Sequence, residues 1–153
     1  MKQHPQLSLL FVMQASPSGP APLLAYLEAI PHVRVDVEPV LPEKLSDYDV
    51  VITLGTAAGA ANRRLDAFVH HGGGWLAAVD ASSDPLPAML GVVAEPPGPE
   101  AEMRVLFEKA DHPMGARLPD ALYLSGRYQV LTPAADDTET LLYVDWHYAH
   151  TPV

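Results

Sequence analysis

Leu7 to Met13 reads LSLLFVM, a nearly unbroken apolar run. Such runs suit a strand buried on both faces, as in a parallel sheet. Gln14 to Pro20 (QASPSGP) has loop chemistry, and Leu23, Leu24, Leu27 and Ile30 then recur at helical spacing until Pro31 stops the helix. Val33, Val35 and Val37 alternate with Arg34, Asp36 and Glu38, which predicts a half-exposed strand near a sheet edge. Asp49 to Leu54 (DVVITL) predicts a second buried strand. In the next segment Ala61, Leu65, Phe68 and Val69 mark the buried stripe of a helix, with Asn62, Arg63, Arg64 and Asp66 facing out. Gly72-Gly73-Gly74 ends that helix, because glycine accepts the left-handed conformation that helix ends favour. Trp75 to Val79 (WLAAV) predicts a third buried strand, Asp80 to Pro85 its outgoing loop, and Leu86 to Leu90 a short helix.

From Gly91 the texture changes. Glu95 to Glu100 (EPPGPE) predicts a Pro/Gly-rich loop, and Met103, Val105 and Phe107 alternate with Arg104, Leu106 and Glu108 as a strand does. Asp111 to Asp120 is irregular, and Leu122 to Leu124, Gln129 to Leu131 and Thr140 to Val144 are short strand candidates. Helices between continuous apolar strands in the first 90 residues imply a mostly parallel sheet with helices on both faces. In such sheets ligands bind outside the carboxyl ends of the strands, where the strand order reverses. The loops that matter are therefore Gln14–Gly19, Gly55–Gly59 and Asp80–Asp84.

At 153 residues, 48% hydrophobic and 18% charged, the chain is expected to form one globular domain over 1–153. No apolar run is long enough to span a bilayer as a helix, and no membrane partner is expected. Nine basic against 19 acidic residues give a net charge of −10. Binding to nucleic acid is disfavoured, because phosphate neutralisation needs a basic face and the few Arg and Lys are scattered. There is no cysteine, which removes disulfides, thiolate metal sites and cysteine nucleophiles together, and fits a reducing cytoplasm.

The order of motifs resembles the ThuA-like family, which is linked to trehalose utilisation and belongs to the class I glutamine amidotransferase-like superfamily. The resemblance is carried by Tyr48-Asp49-Val50-Val51 opening a strand, then by Leu65-Asp66-Ala67-Phe68-Val69 before Gly72-Gly73-Gly74-Trp75-Leu76. It continues in Asp111-His112-Pro113-Met114 followed by Leu118-Pro119-Asp120, and in Val130-Leu131 and Leu142 to Trp146, where the family has its next strands. It implies an α/β, flavodoxin-like three-layer sandwich with a mostly parallel sheet. The departures bear on function. The loop after the first strand, Gln14 to Gly19, lacks the family's histidines, and Asp80-Ala81-Ser82 stands for an H-A-A-like turn. Ser125-Gly126-Arg127-Tyr128 replaces an acidic pair with a base. The chain stops at Thr151-Pro152-Val153, short of the family's Gly-rich strand and terminal helix, so its last strand is expected to take a partner chain or leave an open edge.

Glutamine amidotransfer needs a thiolate nucleophile, and these 153 residues supply none. Ser82 and Ser83 lie on the right kind of turn, but D-A-S-S-D-P is not G-x-S-x-G, and Ser83 or Asp84 more simply caps the next helix. Asp80, at the end of a buried strand, reads either as a general base or as a loop-holding carboxylate. His112 reads either as a site imidazole oriented by Asp111 or as part of a locked Asp-His-Pro turn. His70 and His71 end a helix and suit its dipole. Asp145, His147 and His150 have a loose metal-ligand spacing with no helix to fix it, so no metal or cofactor is assigned. Gly55-Thr56-Ala57-Ala58-Gly59 leads into a helix N-terminus without the Lys-Ser/Thr ending of a phosphate loop.

The expectation is thus a cytoplasmic protein of carbohydrate metabolism, with the sugar link carried by the resemblance. A small sugar-derived ligand would be held by Gly55, Thr56, Ser82, Arg127 and Tyr128, with Asp80 and His112 for acid–base chemistry. The alternative is a non-catalytic binding or assembly module, with a homodimer as a further expectation.

Overall fold

The computed structural model describes residues 6–13, 21–54, 60–78, 86–108, 112–115 and 119–145. The chain forms two compact units, Met1–Asp80 and Ala81–Val153.

The first unit runs β1 (Leu7–Val12), α1 (Ala21–Glu28), β2 (Val33–Glu38), β3 (Val50–Leu54), α2 (Ala60–His70) and β4 (Gly74–Ala78). The four strands form one parallel sheet in the order β2-β1-β3-β4. The apolar runs explain that order. Leu9, Leu10 and Phe11 of β1 and Val51 and Ile52 of β3 are buried although successive side chains point to opposite faces, so these two strands take the centre. The alternating strand β2 takes an edge, as its pattern predicts. There the Arg34 guanidinium lies 3.5 Å from Asp36 and 5.7 Å from the centre of the Tyr48 ring. The Tyr48 phenol is pushed up from its ordinary pKa, first by desolvation and then by its hydrogen bond to Asp36.

Asp49 sets the sheet's register from its amino end. Its N–H donates to the Ser8 carbonyl (2.9 Å), its carboxylate accepts from the Ser8 N–H (2.7 Å), and its carbonyl accepts from the Gly74 N–H (2.9 Å). One residue therefore ties the starts of β1, β3 and β4 together.

In α2, Leu65 has no exposed surface, and Phe68 lays its ring over Gly73. The helix ends in a Schellman motif: Gly73 N–H donates to the Phe68 carbonyl and Gly72 N–H to that of Val69, with Gly72 at φ 96°. His70 and His71 place Nδ1 on the carbonyls of Asp66 and Ala67, as expected of imidazoles at a helix carboxyl end. Two details differ from the pattern. Val69, assigned to the buried stripe, is 37% exposed, because the chain turns away one residue later. Arg64, assigned to the outer face, is half-buried and donates from Nη1 to the Leu41 and Pro42 carbonyls, so its charge holds the β2–β3 connection against the helix. The side chains of Ala61 and Asn62 lie outside the described residues. Helix α1 packs beside β2 and leaves Leu23 and Tyr26 exposed.

The second unit runs through a 3₁₀ turn (Ala88–Leu90), β5 (Val92–Ala94), β6 (Glu100–Phe107), a 3₁₀ turn (Pro113–Gly115), β7 (Ala121–Arg127), β8 (Leu131–Pro133) and β9 (Leu142–Asp145). All its strand pairs are antiparallel: β5 with β8, and β6 between β7 and β9. The expected short helix over Leu86 to Leu90 is the first 3₁₀ turn. β6 begins at Glu100, inside the expected Pro/Gly-rich loop, and β7 extends the expected strand to Arg127. β5 was not expected, since three residues are too few for any periodicity to register. The strand expected at Gln129 to Leu131 lies at Leu131–Pro133, where Pro133 sits at the edge that tolerates its missing N–H.

No helix is long and apolar enough to cross a membrane among the described residues.

Two substitutions test this account of the first unit. Phe11→Ala should cost about 3–5 kcal/mol in urea denaturation, because a fully buried aromatic leaves a cavity between two covered faces. Asp49→Ala should cost about 1 kcal/mol, the net worth of one hydrogen bond at a solvent-accessible site.

Candidate functional site

From β1 the chain passes through α1 to β2 on one side, whereas β3 and β4 lie on the other. The strand order therefore reverses between β1 and β3, which makes their carboxyl ends the ligand position of an open parallel sheet. The register aligns these ends: Val12 is the partner of Thr53, and Leu54 the partner of Ala78. Gly55 and Thr56 follow Leu54 in sequence, and Asp80 and Ser82 come shortly after Ala78. These four candidates lie outside the described residues. Near the carboxyl end of β3, Thr53 is a buried polar group, 3% exposed, and its hydroxyl accepts the indole N–H of Trp75 at 2.9 Å. That bond satisfies the hydroxyl and fixes the indole beside the strand end.

The remaining candidates belong to the second unit, which spreads them out. His112 is half-buried, and its carbonyl accepts the Gly115 N–H at 2.8 Å in a tight turn. Gly115 packs on the ring of Phe107, the last residue of β6. Arg127 pairs with Glu100, the first residue of β6. From Leu106 to Glu100 the strand covers ~20 Å, so His112 and Arg127 lie toward opposite ends of the β6–β7 hairpin. Tyr128 is half-buried with its ring against Gly98, and its carbonyl accepts the Gly98 N–H at 2.9 Å. Gln129 adds a 2.8 Å bond from its side-chain amide to the Glu95 carbonyl. Tyr128 and Gln129 thus hold the Pro-rich segment 95–99.

A further feature lies on the hairpin itself. Cross-strand partners share a face, so Glu100, Glu102, Arg104 and Leu106 of β6 share one with Arg127, Ser125, Tyr123 and Ala121 of β7 and with Asp145 and Tyr143 of β9. The opposite face carries Met103, Val105, Phe107, Leu122 and Val144. On the polar face Arg104 Nη1 donates to Asp145 at 3.4 Å, while the buried Nε has no hydrogen-bond acceptor among the described residues. A cleft of about 510 Å³ on the hairpin is lined by Glu102, Met103, Arg104, Tyr123, Leu124 and Ser125, residues of both faces. Sequence reasoning passed over Arg104 and Tyr123. Alternation does assign them to the polar face, but only cross-strand register puts them side by side.

No family model matches the sequence, and no curated protein matches it. Solved structures do resemble it. A protein from Bacteroides uniformis designated ThuA-like superposes with a TM-score of 0.74 at 21% identity, covering 95% of this chain and 70% of its own. The fold is that of the ThuA-like proteins. A second, from Parabacteroides merdae and also designated ThuA-like, gives a TM-score of 0.58 at 14% identity over 92% of this chain and 68% of its own. The resemblance drawn from the motif order is thereby met in three dimensions: an α/β chain with a four-stranded parallel sheet interleaved with helices. Within this ThuA-like fold, Asp49 has a physical role as the register anchor, and Gly72 and Gly73 as the helix terminator.

The placement of Tyr128 predicts that Gly98→Ala will lower stability by about 1 kcal/mol, since a methyl group there collides with the phenol ring. Tyr128→Ala should remove that penalty, giving a non-additive double variant in thermal melts; a ring free to take up ligand would leave Gly98→Ala neutral.

Proposed function

We propose that this chain is a member of the ThuA-like family that binds a small sugar-derived ligand at the carboxyl ends of β1, β3 and β4. The observation that carries the reading is the strand order, which reverses between β1 and β3 and brings the polar segments after β3 and β4 to adjacent strand ends. Gly55 and Thr56 supply ligand contacts in this reading, and Asp80 supplies acid–base chemistry. The sugar is inferred from the family resemblance, and a role in carbohydrate metabolism in the cytoplasm goes with it. The absence of cysteine supports chemistry that is not thiol-based.

A second reading, a non-catalytic binding or assembly module of the same fold, is favoured by one observation. Arg127 and Tyr128, the other proposed ligand residues, lie toward the far end of the β6–β7 hairpin from His112, and Tyr128 packs on Gly98.

A thermal-shift screen against trehalose, glucose, oxidised sugars, amino acids and divalent metals separates the two. A ligand that binds only the folded state raises its apparent stability by mass action. The first reading expects a dose-dependent shift with a sugar that is lost in Asp80→Ala. A sharp transition unmoved by any compound sinks it in favour of the second.

A further inference from the structure

We propose that β7 is a self-pairing edge: two copies of this chain join antiparallel along Tyr123–Arg127, centred on Ser125, into one continuous six-stranded sheet β9-β6-β7-β7-β6-β9. This interface is independent of the ligand reading above.

β7 is an outer strand of its sheet and is regular over seven residues. Among the described residues, its backbone hydrogen bonds all run to β6, so its other side presents open N–H and C=O groups. Proteins blunt such edges with Pro, Lys, bulges or brevity. Residues 121–127 contain neither Pro nor Lys, and their register with β6 runs one to one without a bulge. Of the other outer strands described, β2 carries Arg34, Asp36 and Glu38, β8 carries Pro133, and β5 and β9 have three and four residues, while β4 has five residues without such a device.

The side chains of β7 select a second copy as the occupant. Centring the pair on Ser125 keeps each face with its like and sets Tyr123 opposite Arg127, Leu124 opposite Gly126, and Ser125 opposite itself. Tyr123 is 76% exposed and Arg127 is exposed on the same polar face. The guanidinium of one copy then covers the phenol ring of the other, twice by symmetry. Glu102, the cross-strand partner of Ser125, adds a carboxylate on the same face, and Arg104, the cross-strand partner of Tyr123, is held by Asp145. On the other face Leu124, 52% exposed, meets Gly126, which leaves it room. Centring on Leu124 instead would set Arg127 against Ala121 and leave both the charge and the ring unmatched.

The chain has no cysteine, so Ser125→Cys introduces a single thiol at the two-fold axis. Directly opposed Cβ atoms sit about 4.5–5.5 Å apart, close to disulfide reach. Mild oxidation should convert Ser125→Cys to a covalent dimer on a non-reducing gel, whereas Ser46→Cys, exposed in the first unit, should stay monomeric. In sedimentation velocity the unsubstituted chain should run at twice its 16.5 kDa mass. Tyr123→Lys, which opposes two cations, should weaken self-association about tenfold or more, and Tyr123→Lys/Arg127→Glu should restore it. Cross-linking no faster at 125 than at 46, or a monomeric unsubstituted chain, overturns the proposal. So does a folded Tyr123→Lys variant that dimerises normally, or a loss that the double variant does not restore. If Tyr123→Lys fails to fold by circular dichroism, the cysteine comparison decides alone.

Discussion

Leu10 and Phe11 are neighbours in β1, point to opposite faces of the sheet, and retain no exposed surface; Val51 on β3 is equally covered. A sheet that must be dry on both sides at its centre has few arrangements open to it. Its strands run parallel so that crossing segments can cover both faces. The two driest strands take the middle, and the half-polar β2 is left at the edge. Every strand end of one kind then lies along one border. The alignment of the strand ends along that border is a consequence of burying β1 and β3.

The second unit obeys a different rule. Its sheet β7-β6-β9 has one apolar face and one polar face, so charges can stand in its middle strand. Arg104 does so, flanked across the strands by Tyr123 and Asp145. The same alternation that permits this row spreads the polar residues along the hairpin instead of converging them on one point. That is why His112 and Arg127, both attractive as isolated residues, end up at different places on it.

Legibility in the sequence followed the length and regularity of each burial pattern. The strands of the first unit could be read from LSLLFV, VVITL and the valine alternation, because each buries enough apolar surface to override local preference. The end of α2 was legible from its glycines. Val69 and Arg64 were misplaced because a helical stripe has soft borders, and a long cationic side chain can fold back to neighbouring carbonyls while its stem covers apolar surface. β5 and β8 are too short to leave a pattern, and their pairing is a tertiary event between residues about forty positions apart. At the candidate site, the residue types before the helix and after β4 were visible. Whether two side chains converge is decided by register and turn geometry, which no single stretch encodes; Arg104 and Tyr123 illustrate this. Tyr128 was legible as an aromatic beside a base, but its contact with Gly98 depends on the path of a proline-rich loop.

The central position of β1 also shapes how the molecule is made. β1 is synthesised before β2 and β3, which flank it in the finished sheet, and its amino end is fastened by Asp49, 41 residues downstream of Ser8. Its most apolar stretch must therefore wait, unpaired, until both neighbours have been synthesised. Non-local pairing of this kind slows folding and prolongs the exposure of sticky segments. Synthesis rate across the codons for residues 7–54, and access of chaperones to LSLLFV in that interval, become determinants of yield that the finished fold conceals.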